Sequence, residues 1–535
     1  MNNLMTGPSA RMLVLGVAGA LLLGACGSGG DSDDSAATGS ANGSVGFINV
    51  QEAGDAVDGG TLTFGSYSFP NALDPTKTQA TGSTGGTEMA AIYDTLIRSD
   101  SVAGEFVPQL AESITSNEDF SSYTVKLRDG VTFSDGTVLD SAAVKWSIDR
   151  FVAAQADVAQ AWSGVVESIA TPDASTVEFT LQRSWDDFPV LLSMGPGMIV
   201  GQGSDANGAF APIGAGPFTL EKFAPNEEIT LSPRADYYGG TPHLGKLRFV
   251  PTAGATASLE SLNSGQLNMA YIMRDEDVIK AAQDAGLSGF LDVQGLGSIG
   301  AVNNREGRPG ADLRVRQAVA YGIDPEAINA RANNGLGIAS SAIVPETSRW
   351  NNGTEGLQYD PAKATTLLNE AKADGYNGKL TYLAMSEPSA EAAALATQAS
   401  LNSIGFDVTI DYVSSVTDLV RKLYVEHDFD ITRSSYAFMD EAPYLRLYAG
   451  FGSDSNNNSV GSKDPQMDEL LVAVQTATTD EAKKEAISAV QLRANETVPY
   501  SLWGPASVFL AWDNDVHEVK RSADNIMLLD SVWVG

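Results

Sequence analysis

Three histidines, His243, His427 and His517, are the only imidazoles in 535 residues. They stand far apart, without HExxH or CxxC companions, so local spacing assembles neither a zinc site nor a serine triad. The chain has no GxSxG elbow and no Ser-x-x-Lys pair. Gly295-Leu296-Gly297-Ser298-Ile299-Gly300 has the spacing of GxGxxG. A dinucleotide turn needs a strand before the glycines and a helix N-terminus after them, so that backbone amides face a pyrophosphate. Here 301–309 reads as a loop, and the match fails on that context. Gly82-Ser83-Thr84-Gly85-Gly86 has no following lysine and is not a P-loop. An acid pair for glycoside hydrolysis depends on tertiary distance, so a secreted hydrolase stays as an alternative. These patterns give no reason to expect an enzyme, a cofactor or a metal.

Cys26, the single cysteine, offers different chemistry. It ends Leu23-Gly24-Ala25-Cys26, directly after the apolar run 12–23, and the only basic side chain upstream is Arg11. About a dozen apolar residues fall short of the ~20 that span a bilayer but fit a signal-peptide core. The small residues before Cys26 resemble the bacterial lipoprotein box. That resemblance implies a signal peptide over 1–25 and an acylated Cys26 as the mature N-terminus; an ordinary cleaved secretory peptide is the alternative. One cysteine excludes an intrachain disulfide, so the exported fold must rest on core burial.

The formal net charge is -34. A solvated acidic surface explains it, and it opposes binding to nucleic acid or anionic lipid. Selection for a cationic ligand is the sharper reading, but whole-chain charge locates no site. Residues 27–59 are rich in Gly, Ser, Ala, Asn and Asp and hold no Lys or Arg. Such a segment cannot bury enough apolar area to order itself, so 26–59 is expected to be a flexible tether. The acids Asp31, Asp33 and Asp34 lack EF-hand spacing.

Alternation predicts strands at 60–64, 123–127, 131–133, 177–181, 229–231, 247–250 and 429–432. Apolar spacing predicts helices at 87–97, 141–151, 255–264, 313–321, 361–373, 391–404, 416–426, 465–477 and 481–495. Strands and helices interleave over the whole length, which is the pattern of an α/β protein. The length exceeds what one core usually supports, so two or more lobes are expected.

Several blocks carry a family likeness: Leu73-Asp74-Pro75, Ile92-Tyr93-Asp94-Thr95-Leu96, Tyr123 through Thr137, Gly214 through Leu220, Ala235 through Gly240, Leu313 through Asp324 and Tyr359 through Ala364. In this order they resemble family 5 of the extracellular solute-binding proteins, the peptide/nickel group that serves ABC importers. The resemblance implies a two-lobed periplasmic-binding-protein type II fold with an extra domain on the first lobe. It places the first lobe in 60–97, 213–298 and 496–535, the extra domain in 98–212 and the second lobe in 299–495. It also implies a monomeric receptor outside the cytoplasm, held at the membrane by its lipid, closing on a solute and delivering it to ABC permease subunits.

Peptide-binding members share a segment resembling Trp-x-Ala-Asp-Tyr-x-Asp-Pro, whose first Asp receives the peptide's α-ammonium. The matching stretch is Tyr436-Ala437-Phe438-Met439-Asp440-Glu441-Ala442-Pro443-Tyr444, with Met439 where that acid would stand. Asp440 or Glu441 substitutes if the segment shifts by one or two residues. Tyr67, Phe69, Tyr436, Phe438 and Asp440 are the candidate ligand contacts, the aromatics as stacking faces and Asp440 as a cation partner; core packing is the other reading of each aromatic. A peptide or peptide-like solute is expected, with an oligosaccharide, an opine or a metal complex as the alternative.

Overall fold

In a computed structural model of the protein, residues 45–535 are described apart from Val102 and Asn207. The Cys26 lipidation, the 1–25 signal peptide and the start of the tether lie outside them. One eleven-stranded sheet organises the chain. Its order is Asp407–Val413, Lys379–Met385, Ile431–Ser434, Ser288–Val302, Tyr500–Trp512, Met269–Met273, Gly59–Ser66, Leu244–Pro251, Glu228–Pro233, Phe218–Ala224, with Gly46–Ile48 also paired to Ser288–Val302. On one side Gly59–Ser66 runs parallel to Met269–Met273 and Leu244–Pro251, and on the other Lys379–Met385 runs parallel to Ile431–Ser434 and Asp407–Val413, as helix-connected α/β strands do, while Phe218–Ala224, Glu228–Pro233 and Leu244–Pro251 form an antiparallel edge.

The central pair, Ser288–Val302 and Tyr500–Trp512, is antiparallel and joins two half-sheets. Its register breaks between Gln294 and Ser298. The GxGxxG stretch therefore lies inside a strand, as a bulge, and not at the mouth of a helix. Glycine is required there by close approach. A Cβ on Gly295 would stand 2.1 Å from the Ile343 carbonyl oxygen, and one on Gly297 would stand 2.1 Å from the Ala506 nitrogen.

A second, four-stranded antiparallel sheet comprises Ala111–Ser116, Ser122–Leu127, Thr176–Leu181 and Val166–Asp173 in that order. It is covered by Ser141–Ala153 and Ala159–Val165. The first of these helices is capped by Asp140, whose side chain accepts from the Ala143 amide at 2.8 Å. Its apolar core continues into the 436–500 region, where the Trp185 and Tyr444 rings meet edge-on at 5.5 Å.

Several expectations are corrected. The tether becomes structured before residue 59, because Gly46–Ile48 adds to the sheet and the Phe47 ring packs edge-on against Phe290 at 5.1 Å. The 87–97 helix is Gly86–Tyr93 only. Asp94 takes a left-handed φ of 58°, and its carboxylate accepts from the Thr95 amide and from the Tyr237 and Tyr238 hydroxyls at 2.8, 2.7 and 2.8 Å. Ile97–Asp100 is then a strand. The 131–133 strand reduces to a single bridge, Thr132 to Val138. The 416–426 helix is α-helical over Val416–Val420 and a π-helix over Arg421–Glu426.

Two buried ionic contacts yield tests. The Lys483 ammonium, 2% exposed, reaches Asp186 and Asp187 at 2.8 Å each and ties Asp480–Thr497 to the four-stranded region. Removing one partner of a buried pair strands the other charge. Lys483→Ala should lower unfolding free energy by about 3–5 kcal/mol in urea titration, and adding Asp187→Asn should recover part of the loss. Glu88, fully buried, accepts from the Ser66 hydroxyl at 2.5 Å. Burial pushes its carboxyl from 4.5 up to about 7. Between those values the folded state holds a proton that the unfolded state has lost, so stability falls as pH rises through the window. Glu88→Gln should therefore stabilise the protein at pH 8 by up to about 3 kcal/mol relative to its effect at pH 4. Melting curves of the two proteins at both pH values measure this; a difference that does not change with pH would contradict the burial argument.

Candidate functional site

The bulge in Ser288–Val302 leaves two carbonyls free of the ladder. They are taken by the segment that follows Ile431–Ser434: the Tyr436 amide donates to the Leu296 oxygen at 3.0 Å, and the Phe438 amide to the Gly295 oxygen at 2.7 Å. This fixes the 435–438 backbone at the junction of the half-sheets. The Tyr436 hydroxyl is 2.9 Å from the Asn457 carbonyl and 3.0 Å from the Tyr500 hydroxyl.

The opposite wall is built by the first half-sheet. The turn Gly82–Thr84 precedes Gly86–Tyr93 and presses on the C-terminal segment, so that a Cβ on Gly82 would lie 1.9 Å from the Asn525 oxygen. The Tyr271 hydroxyl bonds both Thr87 and the Asn525 carbonyl at 2.8 Å. Between the walls lies a cavity of about 360 Å³, bordered by Thr81, Ser83, Arg274, Tyr424, Tyr436 and Arg446 among others. An adjoining cavity of about 240 Å³ shares Arg446, Ala449 and Asn457 with it and is bordered on its far side by Asp157. Together they have the size of a small-solute cleft.

Charge in this cleft is unusual for so acidic a chain. Arg433, on Ile431–Ser434, has its Nε donating to the Ser298 hydroxyl at 3.2 Å, and among the described residues no carboxylate lies within 4.0 Å of its guanidinium. Burial, and then the nearby Arg274, pull its pKa below the ordinary arginine value. Arg274 also has no carboxylate within 4.0 Å among the described residues; its backbone adopts a left-handed φ of 56°, and its guanidinium is 3.4 Å from the Ser435 hydroxyl. Arg274 borders the cleft, with Arg433 close enough behind it to feel its charge, and neither has an acid of its own, so an anion at Arg274 would gain charge-assisted hydrogen bonds.

The five expected contacts do not form one site. Tyr436 borders the 360 Å³ cavity. Tyr67 stands 42% exposed at the end of Gly59–Ser66, close enough to Arg433 to act on its charge. Phe69 packs instead against the core of the first half-sheet. Phe438 and Asp440 border a different cavity of about 260 Å³. There Asp440 accepts from the Ser348 hydroxyl at 2.6 Å and the Arg349 amide at 3.2 Å, so its carboxylate is spent on the 348–349 turn. Glu441 is paired with Arg521. Met439 is also engaged: the Arg446 Nε is 3.1 Å from its sulfur.

Sequence reasoning missed Arg274, Arg433, Tyr424 and Arg446. A signal existed for two of them: Arg433 interrupts Phe429–Ser434, and Arg446 is the only charge in Pro443–Phe451. Tyr424 is aimed by the π-turn, which has no sequence signature. A larger cavity, about 720 Å³, lies elsewhere, around Asn304, Arg305, Arg316 and Lys463. Arg305 and Arg316 donate to the backbone carbonyls of Ser459 at 2.5 Å and Gly310 at 2.7 Å, which gives both a structural task. Among the described residues no group of three or more potential metal ligands is assembled, and no helix is long and apolar enough to cross a membrane.

The chain is 26% identical over 345 residues to the dipeptide-binding protein of Escherichia coli (strain K12), a match covering 59% of this chain and 64% of that relative. It is 25% identical over 454 residues to the probable D,D-dipeptide-binding periplasmic protein DdpA of the same organism, covering 82% and 86% of the two chains. In three dimensions it resembles the oligopeptide-binding protein AppA of Bacillus subtilis, solved with a nonapeptide, with a TM-score of 0.75, 21% identity and coverage of 90% and 100%. The periplasmic binding protein AgaA from A. tumefacien R10, solved with agropinic acid, gives a TM-score of 0.74 at 26% identity, covering 89% and 99%. The fold is thus the two-lobed type II arrangement that the sequence blocks imply. The pattern describing bacterial extracellular solute-binding proteins, family 5 (middle region), matches residues 105–458, and the chain belongs to that family.

Proposed function

We propose that this protein is the extracytoplasmic receptor of an ABC importer, capturing a peptide or peptide-like solute in the cleft between its half-sheets and passing it to the permease subunits. The observation that carries the reading is the cleft itself. It joins both halves of the sheet at a bulged strand pair, is lined by hydroxyls and amides, and presents Arg274 with no carboxylate within 4.0 Å among the described residues. A solute carboxylate would pair with it through charge-assisted hydrogen bonds.

The moving bodies in this reading are 60–97 with 213–298 and 496–535 on one side, and 299–495 on the other. The 98–212 region rides as an extra domain, and the bulge at Gly295–Gly297 and the facing Gly504 serve as the hinge. A ligand that touches both sides stabilises the closed form by its differential affinity. No chemical step on the solute is part of this function. The same receptor role for a non-peptide solute is the second reading. It is favoured by Met439, which stands where peptide-binding relatives carry an acid, and by the agropinic acid bound in AgaA.

Purified protein should gain thermal stability from at least one member of a panel of di- and tripeptides, opines and oligosaccharides, because a ligand of the folded state raises its melting point by mass action. Arg274→Met should weaken the responding solute about 10- to 100-fold if that solute bears a carboxylate. A panel without response, together with turnover of a glycoside or peptide, would overturn the receptor reading in favour of a hydrolase.

The anchor belongs to the same proposal. Acylation at Cys26 would keep the receptor beside its permease, since a lipid adds ~0.8 kcal/mol per buried CH₂ and diacylation holds stably. Cys26→Ser should move the protein from the membrane pellet to the soluble fraction; an unchanged distribution would reject the lipoprotein assignment.

A further inference from the structure

Arg446 is the one charged side chain that borders both parts of the cleft. It comes from Pro443–Phe451 and pairs with Asp524 of the C-terminal segment at 2.6 Å. On the far side, between the helices Ser141–Ala153 and Ala159–Val165, stands Asp157. The Asp157 carboxylate accepts from the neighbouring Val158 amide at 3.0 Å, and among the described residues no cationic nitrogen lies within 4.0 Å of it. Gln79, from the wall of the first cavity, is also close to it. Three charges thus meet where three parts of the chain converge, and two of them are negative. The Arg446–Asp524 pair is neutral, so Asp157 is left over. Burial pushes its pKa up and Arg446 opposes that, which is the signature of a carboxylate held against its own solvation cost.

Along the cleft the charges follow an order. Arg274 borders only the first cavity, the neutral Arg446–Asp524 pair the middle, and Asp157 only the second cavity. An arrangement of cation, neutral pair and anion is complementary to a zwitterion and mismatched to a plain anion or a neutral sugar.

We propose that Asp157 receives a positively charged group, an ammonium or guanidinium, of the bound solute, so that the cleft selects zwitterions whose anionic end faces Arg274. This inference rests on the receptor reading above. It assigns the cation-binding task to the 98–212 region in place of the 436–444 segment, where Met439, Asp440 and Glu441 are each engaged internally.

The test uses the full chain and titration calorimetry with two matched probes, the tripeptide Ala-Leu-Ala and its N-acetyl derivative, with adipate and maltotriose as solutes lacking a cation. The wild type should prefer the free amine by about 10- to 100-fold. Asp157→Asn should erase that preference by weakening the free amine alone, and Asp157→Glu, which keeps the charge, should retain it. The ligand-free melting point of Asp157→Asn should not fall, because the substitution removes a half-buried charge with no cationic nitrogen within 4.0 Å among the described residues; a fall would mark Asp157 as a structural partner of Arg446 and overturn the proposal. Equal binding of the two tripeptides, or discrimination that survives Asp157→Asn, would also overturn it. Binding of adipate or maltotriose and neither tripeptide would reject the zwitterion while leaving the receptor standing. Failure of every solute in this set and in the wider panel would remove the receptor reading, and this proposal with it.

Discussion

Two strands, Ser288–Val302 and Tyr500–Trp512, carry the sheet from one half to the other, and between Gln294 and Ser298 they cannot stay in register. The close packing of Gly295 against the Ile343 carbonyl and of Gly297 against Ala506 leaves no room for a Cβ. On the partner strand Gly504 takes a φ of +155°, and a Cβ there would lie 2.2 Å from the Ile338 carbonyl. A bulge bends its strand and leaves backbone groups outside the ladder, and buried carbonyls need partners. Here the partners are the amides of Tyr436 and Phe438. The break in pairing and the placement of the cleft wall are therefore one event. The same discontinuity that lets two half-sheets differ in direction also supplies the acceptors that fix the segment between them.

Electrostatics then act on a site that geometry has prepared. The chain is heavily acidic, yet Arg274 borders the cleft, with Arg433 nearby, and among the described residues neither has a carboxylate within 4.0 Å. Carboxylates elsewhere on the surface are screened over about 8–10 Å of physiological saline and leave the charge balance at the cleft to its own lining. What matters at the site is the local count, and at the Arg274 end that count is positive. The Lys483–Asp186–Asp187 contact and the Arg446–Asp524 pair show the contrasting case, in which buried cations are matched within 3 Å. Cations matched by acids hold parts of the chain together; unmatched ones are left to an occupant of the cleft.

Much of the architecture was legible in the sequence because periodicity records burial. The helices at 141–151, 313–321 and 361–373 each show an apolar stripe and an aspartate at the cap, and they fold as Ser141–Ala153, Leu313–Gly322 and Pro361–Ala373. The errors have local causes. The 87–97 stripe continues past Tyr93, but Asp94 leaves the helix to collect three hydrogen bonds that sequence spacing does not record. The 46–48 strand, Gly-Phe-Ile, is a brief apolar interruption of a linker-like stretch, and Phe47 against Phe290 and Trp512 gives it a place. The site was less legible for the same reason. Tyr436 was found because it belongs to a recognisable segment, whereas Arg274, Arg446 and Asp157 meet only in three dimensions.

The position of Asp440 carries the last step. In sequence it is the natural replacement for the acid missing at 439, one residue away. In space Phe438, Met439, Asp440 and Glu441 all border the 260 Å³ cavity, where Asp440 accepts from Ser348 and Arg349, while Tyr436 and Ala437 border the cleft. A shift of the acid from 439 to 440 therefore stays within that cavity and restores no carboxylate to the cleft. Recovering a carboxylate on the cleft side takes a different element altogether, and the 98–212 region contributes one at Asp157. Because the apolar core of that region continues into 436–500 in this conformation, Asp157 stands at a defined place relative to Tyr436 here. A cleft whose own segment has lost its acid keeps a defined negative group only through that shared core.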